Sequence, residues 1–172
     1  MGSSAGDGSQ GRLLPSAAAR IDHIAIAVED LESAIEMYRD TLGFELVERR
    51  RVHGRVGGMF LAEMRAGAIT FVLVQGDSEH SNVTRYIERY GPGVQHVAIE
   101  VDGLPELLDE LHEHGCELLT GVIQSGGLQQ AFSKREPNSG IQLEFISRKE
   151  EDGFRQSNIE ELFRAMEREN VY

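Results

Sequence analysis

The chain nearly repeats itself, and that repeat restricts its possible folds more than any other feature. His23-Ile24-Ala25-Ile26-Ala27-Val28 recurs 73 residues later as His96-Val97-Ala98-Ile99-Glu100-Val101. Gly67-Ala68-Ile69-Thr70-Phe71-Val72-Leu73 recurs at the same offset as Gly140-Ile141-Gln142-Leu143-Glu144-Phe145-Ile146. Self-similarity at a fixed offset signals one supersecondary unit used twice.

Both copies open with a run rich in β-branched residues, the pattern of a strand with a buried side. In the first copy Asp30 can cap a helix whose apolar face is Leu31, Ile35, Tyr38 and Leu42, with Gly43 as its stop. In the second the face is Leu104, Leu107, Leu108 and Leu111, and Gly115 is the stop. Three short strands fit behind each helix: Glu45–Arg49, Met59–Glu63 and Ile69–Val74, then Glu117–Thr120, Gln129–Ser133 and Ile141–Ile146. The expected fold class is α+β, with two βαβββ modules at about 21–76 and 94–148 forming an open barrel-like mixed sheet.

Between the modules Ser81 can cap a helix carrying Val83, Ile87 and Tyr90, ended by Gly91. Behind the second module Ser157 and Glu160 have capping-box spacing ahead of Ile159, Leu162, Phe163 and Met166, which predicts an amphipathic C-terminal helix over about 157–170. Residues 1–20, rich in Gly, Ser and Ala, read as a disordered leader with too few apolar residues for a secretory signal. Against about 150 residues per domain, residues 21–172 make a single domain.

Composition removes several function classes. Seventeen Lys and Arg against 29 Asp and Glu leave a net charge of -12, which argues against nucleic acid and anionic membrane as partners. No apolar run approaches the roughly 20 residues of a membrane span. Cys116 is the single cysteine, so no internal disulfide forms and a cytoplasmic location is expected.

The chemistry-bearing residues are those that the repeat aligns and those that break it. His23 and His96 hold matching positions on the two opening strands. Ala25 and Ala27 share a strand face with His23, so small side chains leave room there for a bound group, while Ala98 and Glu100 share a face with His96. Glu144 lies mid-strand between Leu143 and Phe145, and its repeat partner is Phe71. A carboxylate in an apolar strand is costly to bury unless it is paired or holds a metal. Two imidazoles and one carboxylate make the set whose open positions suit non-heme Fe(II) and oxygen chemistry. A glyoxalase-like isomerase would need a fourth ligand near Phe71, and phenylalanine cannot ligate. A strand histidine can also be an ordinary core or surface residue; His53, His80, His112 and His114 read as surface residues.

With Asp22-His23 and Gln95-His96, the duplicated pattern resembles the vicinal oxygen chelate superfamily. Within it, the chain is similar to the catalytic C-terminal domains of 4-hydroxyphenylpyruvate dioxygenase and hydroxymandelate synthase. Four segments carry the resemblance: Gly91-Pro92-Gly93-Val94-Gln95-His96-Val97-Ala98, Leu128-Gln129-Gln130-Ala131-Phe132-Ser133-Lys134, Leu143-Glu144-Phe145-Ile146-Ser147-Arg148, and Gly153-Phe154 with Asn158 and Leu162-Phe163. It implies an Fe(II) cofactor on His23, His96 and Glu144. It also implies that Phe132 and Phe154 sandwich a flat substrate group and that Gln130 is a catalytic hydrogen-bonding residue, with Gln75 and Asn158 also in the substrate site. Ordinary core packing for the phenylalanines, and a ladder or turn hydrogen bond for Gln130 and Gln95, are the plainer alternatives.

The resemblance further implies a dioxygenase that takes a small organic acid, a 2-oxo acid, and O2 through oxidative decarboxylation and hydroxylation. The C-terminal helix would serve as a lid, and the family habit admits a homodimer. Val56-Gly57-Gly58 stands where the family carries Leu-Asn-Ser, Gln75-Gly76-Asp77 stands for Asn-Glu-Pro, and Asn82 for a Gln. The resembled chains also carry an N-terminal domain not found in this sequence, so a stand-alone catalytic half with a substrate other than 4-hydroxyphenylpyruvate is expected. Two alternatives remain at this point: a metal-dependent epimerase or isomerase of the methylmalonyl-CoA epimerase or glyoxalase type, with Gln75 as its nearest fourth-ligand candidate, and a metal-free drug-binding protein of the resistance type.

Overall fold

The computed structural model describes Leu14, residues 18–125 and residues 127–148. The C-terminal helix expected over 157–170, with Phe154 and Asn158, lies outside the described residues, as does most of the 1–20 leader. In chain order the elements are β1 (Ala18–Ala27), α1 (Leu31–Glu36) continued by a π-helical turn (Met37–Thr41), β2 (Glu45–His53), β3 (Gly58–Ala66) and β4 (Ile69–Gly76). Then come α2 (Asn82–Tyr90), β5 (Gly93–Val101), α3 (Leu104–Glu113), β6 (Ile123–Ser125), β7 (Leu128–Phe132) and β8 (Leu143–Arg148). The strands form one mixed sheet in the order β2-β3-β4-β1-β5-β8-β7-β6, unclosed among the described residues because β2 and β6 are its edges.

The βαβββ unit is present twice, and the modules meet where β1 and β5 pair antiparallel. Within each module the opening strand runs parallel to the closing one, β1 with β4 and β5 with β8. Alternation along the strands gives the sheet two distinct faces. The outer face carries Leu73, Ala62 and Met64 against Leu31 and Ile35 of α1, and Phe145, Ala131 and Val101 against Leu104, Leu107, Leu108 and Leu111 of α3. The inner face carries His23, Ala25 and Ala27, all buried. One end of it is covered by α2, whose Val83 and Tyr86 pack on Ala27, Val52, Leu61, Val72 and Val74.

Four expectations change in the structure. Leu42 is exposed rather than on the apolar face of α1, because the π turn, with Leu42 N–H on the Met37 carbonyl at 3.1 Å, advances the helix phase. Phe44 takes that place, its ring 5.4 Å from Phe71 and stacked on it. In α2 the buried aromatic is Tyr86, not Tyr90. Glu117–Thr120 is reduced to one isolated bridge, Leu118 to Ser133, because Thr120 curls around the end of β7 and its Oγ1 accepts from Phe132 N at 3.0 Å. The short β6, beyond Gly121, takes over the pairing. Finally, β1 begins at Ala18, ahead of the expected module boundary at 21.

Two glycines explain the Val56-Gly57-Gly58 segment. A Cβ on Gly57 would lie 2.6 Å from Ser81 N, and one on Gly58 would lie 2.4 Å from the Val52 carbonyl oxygen. Asp77 Oδ1 accepts from Gly58 N at 2.7 Å. Backbone and a carboxylate therefore occupy the space where larger residues would project.

Candidate metal centre

Sheet register assembles the site. Glu144 on β8 pairs with Ala98 on β5, Ala98 pairs with His23 on β1, and His96, two residues before Ala98, pairs with Ala25. These residues share the inner face, and the methyl of Ala98 leaves a gap between the imidazole of His23 and the carboxylate of Glu144. His23 Nε2 lies 3.3 Å from His96 Nε2 and 3.4 Å from Glu144 Oε2, while His96 Nε2 lies 3.1 Å from Glu144 Oε2.

The hydrogen bonds behind the rings settle which atoms face inward. His23 Nδ1 donates to Asp22 Oδ1 at 2.8 Å, and His96 Nδ1 donates to Gln95 Oε1 at 3.1 Å. Both Nε2 atoms then point lone pairs at one another and at a carboxylate oxygen. Three acceptors with no proton between them repel unless a cation lies among them. Glu144 is 1% exposed, and its Oε1 has no hydrogen-bond partner among the described residues. An ion about 2.1 Å from each ligand atom holds them about 3.0 Å apart at right angles and about 3.4 Å apart at the tetrahedral angle. The triangle of 3.1 to 3.4 Å fits a divalent metal.

Electrostatics favour the ligating protonation states. Burial pushes the His96 pKa down, against the pull of Glu144, so the ring is neutral. Burial pushes the Asp22 carboxyl up, but the hydrogen bond from His23 and the charge of Arg148 outweigh it and its pKa lies below the usual value. Arg148 Nη2 donates to both Asp22 oxygens at 3.0 Å. Such partners fix ring orientation and raise ligand basicity. Among the described residues His23, His96 and Glu144 form the one cluster of His, Cys, Asp or Glu that converges on a point in this way.

Phe132 is fully buried beside the cluster, paired with Glu144 across β7 and β8, with its ring 5.5 Å from that of His96 and edge-on at 86°. Gln130 is 2% exposed on the same face, and its Oε1 has no partner among the described residues. Gln75 stands apart: its Oε1 accepts from Leu31 N at 2.8 Å, capping α1 on the other side of the sheet. The sequence comparison with Phe71 also shifts by one residue. Ala25 pairs with Val72 as Ala98 pairs with Glu144, so Val72 holds the place of Glu144 in the first module, while Phe71 faces α1.

Asp22 and Arg148 stand in the motif segments, but their role behind His23 emerges only from the fold. An acidic residue directly before a ligand-type histidine was the available signal. Glu63 was missed entirely, although its alternation with Met59 and Leu61 on β3 places it inward.

A family model described as Glyoxalase/Bleomycin resistance protein/Dioxygenase superfamily matches residues 20–145. The chain belongs to this superfamily. Its fold is the vicinal oxygen chelate arrangement of the superfamily. A triple variant of 4-hydroxymandelate synthase from Streptomyces coelicolor superposes with a TM-score of 0.77 at 25% identity, over 89% of this chain and 55% of that one. Methylmalonyl-CoA epimerase from Mycobacterium tuberculosis superposes at 0.63 with 25% identity, over 77% and 90%. The Bacillus subtilis (strain 168) protein YqjC is 28% identical over 137 residues, 76% of this chain and 93% of its own. The chain thus spans about half of the synthase and nearly all of YqjC. No helix among the described residues is long and apolar enough to cross a membrane.

Proposed function

We propose that the protein is a non-heme Fe(II)-dependent dioxygenase that acts on a small organic acid, a 2-oxo acid, by oxidative decarboxylation and hydroxylation. The observation that carries this reading is the apolar residue at the fourth corner: Val72 holds the register position that Glu144 holds in the second module. Three protein ligands leave positions for a chelating acid and for O2, the pattern of facial-triad iron enzymes. The greater extent of likeness to the synthase than to the epimerase supports the same choice. An epimerase of the related type would call on a fourth protein ligand, and the Gln75 amide is engaged with α1 instead. A drug-binding protein has no use for a buried carboxylate facing two imidazole lone pairs.

Iron held by His23, His96 and Glu144 would supply the activation of O2, while the substrate would supply the electrons, two on losing CO2 and two from the carbon that is hydroxylated. The chain's own residues do the rest. Asp22 and Gln95 keep Nε2 of each ring free of its proton and aimed inward. Phe132 walls one side of the cluster against water and offers an edge and face for a flat or branched substrate group. Gln130 presents a buried carbonyl oxygen that can accept a hydrogen bond from the substrate.

The test is to load the protein with Fe(II) without oxygen, then follow O2 uptake and CO2 release with a panel of 2-oxo acids. Equal O2 and CO2 with one acid, lost in Glu144→Ala, is the expected result. Failure to retain iron, or iron retention unchanged in both His23→Ala and Glu144→Ala, sinks the reading.

A further inference from the structure

The inner face of the first module carries a buried carboxylate that the iron chemistry does not use. Glu63 on β3 is 8% exposed and pairs with Val72, Val72 pairs with Ala25, and Ala25 pairs with His96. These four residues therefore form one transverse row on the face that holds the His/His/Glu cluster. The next row, Leu61, Val74 and Ala27, packs in one cluster with Val83 and Tyr86 of α2; Val72 belongs to the same cluster, and between Glu63 and the His/His/Glu cluster the row carries only valine and alanine.

The surroundings of Glu63 leave its charge poorly compensated. Its counter-ion is Arg65, at 2.6 Å, with a side chain 48% exposed. An ion pair with a half-solvated partner is weak and rearranges readily. Directly opposite Glu63 on β2 is Glu48, a like-charged neighbour that raises the cost of the buried anion. Glu48 has its own partner in the buried guanidinium of Arg50. A cationic group arriving from the cluster side would meet Glu63 first.

Resting on the Fe(II) reading above, we propose that Glu63 determines substrate specificity by binding a cationic amine at the end of the 2-oxo acid remote from the metal. Three strand spacings of about 4.8 Å separate β3 from β5, roughly 14 Å along the sheet. An arylpyruvate with one further methylene, together with the reach of the Glu63 side chain, covers that span. Val72 and Ala25 beneath it match an apolar middle. The substrate class is thus a 2-oxo acid with an apolar or aromatic body and a terminal ammonium group.

The experiment compares phenylpyruvate, 4-(aminomethyl)phenylpyruvate and 4-carboxyphenylpyruvate as ligands of the Fe(II)-loaded protein without oxygen, by calorimetry and by the change in the iron absorption spectrum. The amine should bind at least about ten-fold tighter than phenylpyruvate, and the carboxylate weakest of the three. Glu63→Gln should compress the range between amine and carboxylate to within about two-fold. Arg65→Gln, which removes the competing cation and keeps Glu63, should widen it, an effect that a purely structural ion pair would not have. Equal affinity for amine and carboxylate in the unmodified protein, or an unchanged preference in Glu63→Gln, overturns the role of Glu63 while leaving the dioxygenase reading intact. Binding of none of the three overturns the 2-oxo-acid reading itself, and this proposal with it.

Discussion

The two modules share one strand order and build one inner sheet face, yet they contribute to it unequally. The first supplies one imidazole, His23, and a charged lattice of Glu48, Arg50, Glu63 and Arg65 on its outer strands. The second supplies His96, Glu144, Phe132 and Gln130, which are the other atoms that could hold a metal and a buried wall. A duplicated scaffold offers symmetric corners, and the chemistry depends on which corners have been emptied. On the proposed reading, Val72 at the register position of Glu144 leaves an open set of three ligands rather than a closed set of four.

The most forceful way to break this comparison is to restore symmetry. Val72→Glu places a carboxylate where the first module now has valine among Val74, Leu61 and Val83. Without metal it should destabilise the fold by about 3–5 kcal/mol, the cost of an uncompensated buried charge, and divalent metal should recover part of that loss. Thermal unfolding with and without metal measures both. A variant as stable as the parent without metal would show that position 72 does not face the cluster.

The groups behind the two histidines differ as well. His23 leans on a carboxylate that is itself held by Arg148, whereas His96 leans on a neutral amide. Asp22→Asn should weaken iron binding by about 10–100-fold, and Gln95→Ala by less, both read from iron titrations of the purified protein. Equal losses would erase the asymmetry assigned to the two rings.

A smaller, graded effect concerns pH. The unfolded chain takes up a proton at each histidine near pH 6.5, while burial holds His96 below that value in the folded, metal-free protein. The unfolded state then binds more protons, so stability present above about pH 6.5 falls as the pH drops toward the folded pKa of His96. Denaturant unfolding of the metal-free protein at pH 7.5 and pH 5.5 should show this decrease, and His96→Gln should diminish it.

The same comparison shows what could be read from sequence. The 73-residue offset was enough to assign the sheet's repeated unit and to align His23 with His96, because matching strand starts carry matching residues. Leu104, Leu107, Leu108 and Leu111 declared α3 by their spacing, and all four are buried. Leu42 could not be placed, since a π turn changes the helix phase without a local signal. The identity of the empty corner was also hidden: repeat alignment pointed to Phe71, and only the register between parallel strands reveals Val72. Likewise, Gln75 carries a ligand-type amide, but which face of β4 it occupies follows from its bond to Leu31 N.

The central claim is a metal held by three protein atoms with the fourth corner closed by valine. A crystal structure of the Fe(II)-loaded protein, with anomalous scattering recorded across the iron edge, tests it most directly. The account predicts a single iron about 2.0–2.3 Å from His23 Nε2, His96 Nε2 and a Glu144 carboxylate oxygen, with its remaining positions held by water or buffer. Iron bound elsewhere, or a fourth protein ligand on the iron, would contradict it.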